Sequence, residues 1–314
     1  MRKASAKSRQ NAKKTGFLIA LFAYPVAQYI IFWLYVNVQT IALSFQEFDY
    51  VSGGYRFVFL DNYKRLIVNL FKDPVMLNAF KNSFHSIGIN AIIMPIAIFV
   101  SYAFAKKVPG EKIFRVAFYM PSMISVVVLT LCFKYMLVNN PNVFVGPLAK
   151  AIGALGIHFD GFDAVDNPAG LWRLVYVYCI WAGLGTNVIM LAGAMNRVPK
   201  DITESAKLDG IGFFRELFTI YCPLVMSTIS AFILTSVMSV FSFYLVPMFL
   251  SGGNIGVNGS MYTIPWFIFE GAQDGNGDRL VDITTIGMIF SLIMLPIIWL
   301  TKRITDKLTP DVNF

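Results

Sequence analysis

Long apolar runs recur along the chain and predict its secondary structure. A transmembrane helix needs about 20 predominantly apolar residues to cross the hydrocarbon core of a bilayer. The runs that meet this criterion are residues 16–38, 83–105, 116–138, 174–195, 224–246 and 283–301. Two of them contain a histidine or a charged residue, namely His85 near the start of the second and Lys134 late in the third. We therefore predict an all-α membrane protein with six transmembrane helices.

The composition excludes a soluble protein of this length. Of the 314 residues, 56% are hydrophobic and only 14% are charged, whereas soluble domains average about 25% charged residues. The net charge of +8 can indicate nucleic-acid binding, but in so apolar a chain it favours basic cytoplasmic loops and no nucleic-acid partner. The odd number of cysteines, Cys132, Cys179 and Cys222, gives neither a disulfide framework nor metal-ligand spacing.

Basic residues are unevenly distributed between the loops, and this predicts the orientation of the helices. If both termini are cytoplasmic, the cytoplasmic segments hold about 17 of the 26 Lys and Arg residues. The opposite loops hold about 11 of the 18 acidic residues. We expect a basic N-terminal tail (1–15), a transmembrane domain (16–301) and a C-terminal tail (302–314), with both tails in the cytoplasm.

The sequence lacks the residue patterns of ATP binding and catalysis. It contains no G-x-x-x-x-G-K-[ST] loop, and neither His85 nor His158 lies near a cysteine or acidic cluster at ligand spacing. The six runs contain no Asp or Glu, which argues against a proton relay inside the membrane, although sodium coupling through backbone carbonyls stays open. We therefore expect a transport protein that is not itself an enzyme and binds no cofactor.

The segment between the fourth and fifth runs, residues 197–216, predicts a short capped helix. Asp201 is a suitable N-cap, and Glu204 three residues later completes a capping-box pattern. Gly210 favours the left-handed conformation that ends a helix. On spacing alone, an interfacial helix without any partner also explains these residues.

The same segment resembles the EAA motif of permease subunits in binding-protein-dependent (type I) ABC importers. That motif reads E-A-A, three residues, G, nine residues, I, one residue, L-P. Ser205 replaces the second-position alanine of the motif, and Cys222 replaces its leucine. The matching residues, which include a D-G pair common among carbohydrate importers, are Glu204, Ala206, Asp209, Gly210, Ile220 and Pro223.

The resemblance implies a type I ABC importer permease that takes up a sugar or oligosaccharide through a bacterial or archaeal cytoplasmic membrane. The loop would dock on a cytoplasmic ATPase dimer that binds ATP and Mg²⁺. Glu204 would pair with a basic residue of the ATPase, and Ala206 and Gly210 would permit close approach. The other implied partners are a second homologous permease subunit, an extracytoplasmic solute-binding protein and the lipid bilayer. Glycerol phosphates or peptides as solutes, a partner-free secondary transporter or channel, and a membrane-embedded enzyme remain alternatives.

Candidate sugar contacts lie in the fourth and fifth runs. Sugars have apolar CH faces and many hydroxyl groups, so their sites combine aromatic rings with hydroxyl and amide groups. The residues of these types are Trp181, Asn187, Ser236, Ser239, Phe241, Ser242 and Tyr244. Ordinary helix packing also explains any one of them; Asn187 is the strongest because a mid-span amide is costly without a partner. Only Lys134 and Arg173 supply positive charge near the bundle, which favours a neutral or weakly charged substrate.

The loops on the other side are predicted to be unequal. Residues 44–82 include a short surface helix that opens at Asp61, and residues 139–173 are irregular. Near the last run, oxygen ligands recur as in part of a calcium loop, at Asp274, Asn276, Asp278 and Asp282. Arg279 and Thr285 stand where such a loop has Gly and Glu, so we favour a polar turn and predict no bound metal.

Overall fold

The computed structural model describes residues 2–139 and 168–309, so His158 and most of the predicted 139–173 loop lie outside the described residues. Within these ranges, four helices are long and apolar enough to cross a membrane, and two further pairs of helices are each bent at a short break. We count each bent pair as one span and number the spans one to six in chain order. The continuous spans are span one (Lys14–Ser44), span two (Pro74–Ala105), span four (Ala169–Met195) and span six (Gly277–Leu308).

Local irregularities interrupt two of the continuous spans. Span one is built from Arg2–Gln28, a π-helical segment Tyr29–Tyr35, and Val36–Ser44. Span two consists of Pro74–Ser83 followed directly by His85–Ala105. Pro25, Pro95 and Pro296 lie inside spans one, two and six, as membrane helices tolerate when neighbouring groups satisfy the freed backbone.

Span three is not the single helix that its apolar run predicts. Its two halves, Glu111–Met123 and Val126–Met136, meet at 100°, because Ile124 is extended (φ −90°, ψ 144°). The apolar run predicts burial away from water, but it carries no information on helix continuity. A broken backbone is tolerated at membrane depth where it is enclosed by protein or lines a cavity.

Span five is also broken, and the helix predicted over residues 224–246 ends earlier than expected, at Phe241. An elbow, Phe213–Leu224, meets the main helix, Met226–Phe241, at 78°. The elbow contains a π-helical turn, Leu217–Tyr221, and ends just after Pro223. Pro223 cannot donate a backbone hydrogen bond to the preceding turn. Beyond Phe241 the chain turns and forms a separate short helix, Leu245–Ser251.

A β-hairpin follows span one and corrects the purely α-helical prediction. Strands β1 (Gln46–Asp49) and β2 (Gly54–Phe57) pair antiparallel, with Gln46 opposite Phe57. In the connecting turn, the Val51 N–H and then the Ser52 hydroxyl donate hydrogen bonds to the Asp49 carboxylate and lower its pKa. The predicted surface helix is confirmed and extends over Asp61–Lys72.

The remaining helices lie at the two ends of the bundle. The loop helix, Lys200–Leu208, connects span four to the elbow and defines one end, which we call the loop-helix end. The hairpin, the surface helix and the helix Ile264–Gln273 lie at the opposite end, which we call the hairpin end.

Span four forms the centre of the bundle and packs along spans two and three. A glycine permits the contact with span three, because a Cβ at Gly185 would lie 2.1 Å from the carbonyl oxygen of Phe118. Span six packs against span five and against the end of span one. Span one is otherwise peripheral, with no buried residue between positions 14 and 39.

Candidate functional site

The loop helix begins two residues earlier than its capping pattern predicts. It extends over Lys200–Leu208, so Asp201 lies in the first helical turn, and its backbone carbonyl accepts a hydrogen bond from Ser205 Oγ (2.9 Å). The prediction of Asp201 as the N-cap is therefore wrong, although a carboxylate in the first turn still favours the helix dipole. Gly210 has a φ of +69° and follows the helix as predicted.

The motif residues of the loop helix lie on different faces. Glu204, Ser205 and Asp209 are exposed, whereas Ala206 is only 4% exposed and packs within the chain. The small side chain of Ala206 thus serves packing inside this subunit. Leu208 is 91% exposed, although it is apolar. Sequence reasoning passed over Leu208, and the available signal was an isolated leucine in an otherwise hydrophilic helix.

Gly210 is required by its backbone conformation. A Cβ built on Gly210 would have no atom within 4 Å in this chain, so space alone does not exclude a side chain. The positive φ does disfavour most residues, because only glycine adopts the left-handed region at no steric cost. Asn is the substitution that tolerates this region best.

A buried acidic residue joins the elbow to span two. Glu216 is 5% exposed and accepts a hydrogen bond from the Tyr102 hydroxyl (2.9 Å). Lys106 Nζ forms an ion pair with its other oxygen and lies over the rings of Tyr102 and Tyr221, at 5.5 and 5.6 Å from their centroids. The sequence analysis missed Glu216, because its partners lie more than 100 positions earlier in the chain.

The last motif residues lie on the elbow itself. Ile220 is partly buried and packs against the core, whereas Pro223 is exposed next to the bend at Val225. Val225 is buried at 3% exposure. The segment from the loop helix to the bend is therefore attached to the bundle through Ile220 and Glu216.

A cavity of about 370 Å³ lies between spans two, three, four and five. Both broken spans border it, through Ile124 at the break of span three and through Ser242 and Phe243 beyond the helical part of span five. Seven lining residues offer a hydroxyl or amide group: Ser86, Asn90, Ser122, Tyr178, Thr186, Ser239 and Ser242. None of the described residues that line the cavity carries a charge.

Two of the predicted sugar-contact residues, Ser239 and Ser242, line this cavity. The Ser239 hydroxyl donates to the carbonyl of Ser236 (2.7 Å), and the Ser242 hydroxyl donates to the carbonyl of Ser239 (3.3 Å). The Ser236 hydroxyl donates to Phe232 of its own helix (2.7 Å), and Ser236 is not part of the lining.

The other predicted residues lie outside the cavity lining. Asn187 donates to the Gly183 carbonyl one turn earlier in span four (2.9 Å). The remaining three are aromatic and pack on aromatic neighbours. Trp181 stacks at 6.2 Å from Phe133, Phe241 meets Phe290 edge-on at 5.4 Å, and Tyr244 lies 4.9 Å from Phe269.

Asn90 is a cavity residue that sequence reasoning missed. It lies in span two, and its amide nitrogen lies within hydrogen-bond distance of Ser239 Oγ (3.2 Å) and of the Ser86 carbonyl (2.9 Å). Asn90 thus joins span two to span five across the cavity wall. The argument that singled out Asn187, a costly amide in the middle of a span, applied equally to Asn90.

Residues 257–263 form an ordered segment at the hairpin end. Asn82 Nδ2 lies within hydrogen-bond distance of the carbonyl oxygens of Gly259, Ser260 and Tyr262 (3.3, 2.9 and 2.9 Å). Asn78 Nδ2 donates to the Asn258 carbonyl (2.9 Å). Span two therefore holds this segment in place mainly through one buried amide.

Three of the four residues of the calcium-like pattern, Asn276, Asp278 and Asp282, have partners within the chain. Asn276 caps span six by accepting from the Asp278 N–H. Asp278 accepts a hydrogen bond from the Tyr50 hydroxyl, which raises the pKa of Tyr50, and Asp282 pairs with Arg65 (2.6 Å). Asp274 follows the helix Ile264–Gln273 and is exposed. Among the described residues, no group of three or more His, Cys, Asp or Glu side chains converges to hold a metal.

Comparison with known proteins identifies the family. Residues 77–313 match the family described as "Binding-protein-dependent transport system inner membrane component". The chain belongs to this family. As one of its inner membrane components, it is a multi-pass membrane protein, and permease subunits of this kind lack ATPase motifs of their own.

Individual family members resemble the chain over most of its length. It is 24% identical to the diacetylchitobiose uptake permease NgcF of Streptomyces coelicolor, over 93% of this chain and 84% of that protein. It is 25% identical to the arabinooligosaccharide permease AraP of Halalkalibacterium halodurans, over 87% and 82%. In fold it matches a chain of a bacterial ABC transporter that imports the acidic polysaccharide alginate, with a TM-score of 0.77, 17% identity, and coverage of 97% of this chain and all of that one.

Proposed function

We propose that this chain is the permease subunit of an ATP-driven importer for a neutral oligosaccharide, and that it forms half of the translocation pathway. The observation that carries the proposal is the uncharged cavity with seven hydroxyl or amide residues in its lining, which is bordered by the break in span three and by the turn that follows Phe241 in span five. Relatives that take up diacetylchitobiose and arabinooligosaccharides support the same substrate class.

The cavity has the chemistry that a neutral sugar needs. Its volume of about 370 Å³ lies within the range of small-molecule sites, roughly 300–1,000 Å³. Hydroxyl and amide groups in the lining can bind sugar hydroxyls, and the partly buried Phe243 supplies an aromatic ring for CH patches. A charged sugar would lose its hydration there without gaining an opposite charge, so we expect a neutral substrate.

Coupling to ATP hydrolysis is proposed at the loop-helix end, which we place in the cytoplasm together with both termini. The exposed Glu204, Ser205 and Asp209, together with the apolar Leu208, form a surface for a cytoplasmic ATPase dimer that holds ATP and Mg²⁺. Burial of the Leu208 side chain, which is 91% exposed in this chain, against the ATPase would favour docking. The elbow would transmit the movement to span five. A second permease subunit and a solute-binding protein complete the proposed assembly.

The test of coupling is ATP hydrolysis by the reconstituted assembly, stimulated by the binding protein and a panel of neutral and acidic oligosaccharides. We expect one neutral sugar to stimulate the wild type, and Glu204→Ala and Leu208→Ser to lose this stimulation. Asp201→Asn, on the same helix but outside the motif, is the matched control and keeps it. Full stimulation in Glu204→Ala and Leu208→Ser would reject the coupling role.

Substitution of Gly210 separates backbone strain from close approach of the ATPase. Asn tolerates a positive φ but adds bulk, whereas Ala adds little bulk but is strained. If contact with the ATPase requires the absence of a side chain, Gly210→Asn loses more sugar-stimulated hydrolysis than Gly210→Ala. The reverse order would mean that Gly210 serves only to end the loop helix.

The cavity is tested by comparing two asparagines. Both amides lie within hydrogen-bond distance of a carbonyl of their own helix, but Asn90 lines the cavity and also reaches Ser239 of span five, whereas Asn187 lies outside the lining. Loss of one hydrogen bond worth about 0.5–1.5 kcal/mol changes an equilibrium by roughly 2- to 10-fold. We expect Asn90→Ala to raise the sugar concentration for half-maximal transport by this factor, and Asn187→Ala to change it less. An equal or larger effect of Asn187→Ala would place the substrate along a different face of span four.

A further inference from the structure

The hairpin and the surface helix (Asp61–Lys72) form one unit that is fixed to spans one and six. Asn62 donates to the carbonyls of Ser44 (3.2 Å) and Gln46 (2.6 Å), and the hydroxyls of Ser44 and Tyr63 lie 2.7 Å apart. On the other side, Arg65 pairs with Asp282 of span six (2.6 Å). These contacts determine where the unit lies along the bundle.

Both attachment points lie where the hydrocarbon layer ends. Asp282 immediately precedes the charge-free run 283–301 of span six, and Ser44 ends a segment of span one that has no charge from position 16 onward. A 30 Å hydrocarbon core takes up about 20 helical residues, so Asp282 marks its boundary in span six. Ser44 lies at nearly the same level, because its carbonyl accepts a hydrogen bond from Thr285 Oγ1 of span six (3.3 Å). The surface helix contacts both residues and therefore lies at the level of the membrane interface.

The surface helix has two apolar faces. One face is buried against the bundle, through Tyr63, Leu66 and Leu70. A second apolar stripe is exposed, because no part of the described chain covers it. This stripe, which we call the interface patch, consists of Leu60, Ile67, Val68 and Phe71 on the helix and Phe57 and Phe59 at the end of the hairpin, with exposures between 41% and 69%.

One residue of the interface patch, Phe59, has an unfavourable backbone conformation. Phe59 has a φ of +54°, a conformation that bulky residues avoid and that glycine or asparagine adopts readily. Its ring is 62% exposed and lies 6.2 Å from the ring of Phe57. Phe59 lies in the turn between β2 and the surface helix, and a partner outside the chain would stabilise the ring that this turn leaves exposed.

The charges beside the interface patch favour lipid as that partner. Lys64 and Lys72 are exposed on the same helix. Lys64 lies one turn from Val68 and pairs with the exposed Asp61 (3.4 Å), and Lys72 follows Phe71. Apolar and aromatic side chains bordered by lysines are the pattern of helices that lie in the membrane interface, with the lysines directed to lipid phosphates. The patch also continues the exposed apolar surface of span one, where Val38 and Ile41 are 54% and 43% exposed.

We propose that the interface patch inserts into the lipid headgroup and acyl boundary at the hairpin end and anchors the mouth of the transporter to phospholipid. The hairpin tip stays in water. Tyr50 there bonds to Asp278, which lies one helical turn beyond Asp282 and therefore about 6 Å farther from the hydrocarbon. This inference rests on the position of the unit and not on the identity of the transported substrate.

Site-directed spin labelling in the assembled transporter tests the proposal. The label is attached at Phe71→Cys or Val68→Cys in a background in which Cys132, Cys179 and Cys222 are replaced by alanine. Lys72→Cys on the same helix and Val51→Cys at the hairpin tip, 96% exposed, are the matched controls. Collisions of the label with oxygen, which concentrates in lipid, and with a water-soluble nickel chelate are measured in vesicles of phosphatidylethanolamine and phosphatidylglycerol.

We expect the ratio of oxygen to nickel collisions at positions 68 and 71 to exceed the ratio at positions 51 and 72 several-fold. Two outcomes would overturn the proposal. Equal ratios at all four positions would place the patch in water. Low collision rates with both reagents at positions 68 and 71 would mean that a protein subunit covers the patch.

Discussion

The ion pair between Glu216 and Lys106 yields the sharpest prediction, because it is buried and joins the elbow to span two. The side chains of Glu216 and Lys106 are 7% and 22% exposed. Removing one member of a buried pair leaves an uncompensated charge, which costs about 3–5 kcal/mol. We expect Lys106→Met to approach the upper value, because it leaves a buried carboxylate with the Tyr102 hydroxyl as its remaining donor among the described residues.

Variants of Glu216 should be less damaging than Lys106→Met. The ammonium group of Lys106 reaches water more easily than the carboxylate does, so we place Glu216→Ala near 3 kcal/mol. Glu216→Gln keeps an acceptor for Tyr102 and should cost less. Tyr102→Phe removes one hydrogen bond to a charged group, worth about 1.5–3 kcal/mol.

The decisive variant combines Glu216→Gln with Lys106→Met. Because it removes both charges together, it should be more stable than Lys106→Met alone. The measurement is the thermal unfolding midpoint of the assembled transporter in lipid nanodiscs, followed by intrinsic fluorescence. Glu47→Gln is the control, because its ion pair with Arg56 is exposed, at 48% and 73%, and worth at most about 1 kcal/mol.

Strict additivity would refute this reasoning. If the double variant unfolds at a temperature lowered by the sum of the two single effects, the charges do not interact and the elbow is held by other contacts. A double variant that recovers stability but has lost sugar-stimulated ATP hydrolysis would show that the charged pair also serves transmission through the elbow.

Two further predictions concern close packing and the hairpin end. Gly185→Ala should prevent normal packing of spans three and four, because the added Cβ would lie 2.1 Å from the Phe118 carbonyl oxygen. The yield of assembled transporter should therefore fall strongly. The control is Gly193→Ala in the same helix, where the added Cβ meets no atom within 4 Å and the transporter should assemble normally. Asn82→Ala should speed backbone hydrogen exchange in residues 257–263, because three carbonyls of this segment lose their contact with the buried Asn82 amide. The control is Asn78→Ala, which removes one exposed hydrogen bond and should change the exchange rate little.

The parts of the fold that depend on local sequence were predictable. Charge-free runs located the spans, because lipid tolerates neither charge nor unsatisfied backbone. Asp61 correctly marked the start of the surface helix, and Gly210 marked the end of the loop helix through its need for a positive φ. Each of these signals lies within a few residues of the element that it predicts.

The parts that depend on distant contacts were not predictable. The breaks at Ile124 and Val225 lie inside uniformly apolar sequence, where hydropathy does not distinguish a bent helix from a straight one. In the sequence, Glu216 is one of several acidic residues in a hydrophilic loop, and only the folded structure brings Lys106 next to it. The β-hairpin was overlooked even though Gly53 and Gly54 gave a turn signal between two short polar and aromatic stretches.

The broken spans have a consequence for how the substrate specificity of such a transporter can change. Helix ends leave main-chain amides and carbonyls without intrahelical partners, and one such end in each of spans three and five, after Met123 and after Phe241, lies at the wall of one cavity. These main-chain amides and carbonyls stay in place when side chains are replaced, as long as the bend is preserved. At the proposed sugar site, mutations can therefore reshape the pocket for a new sugar while the main-chain groups still bind hydroxyl groups.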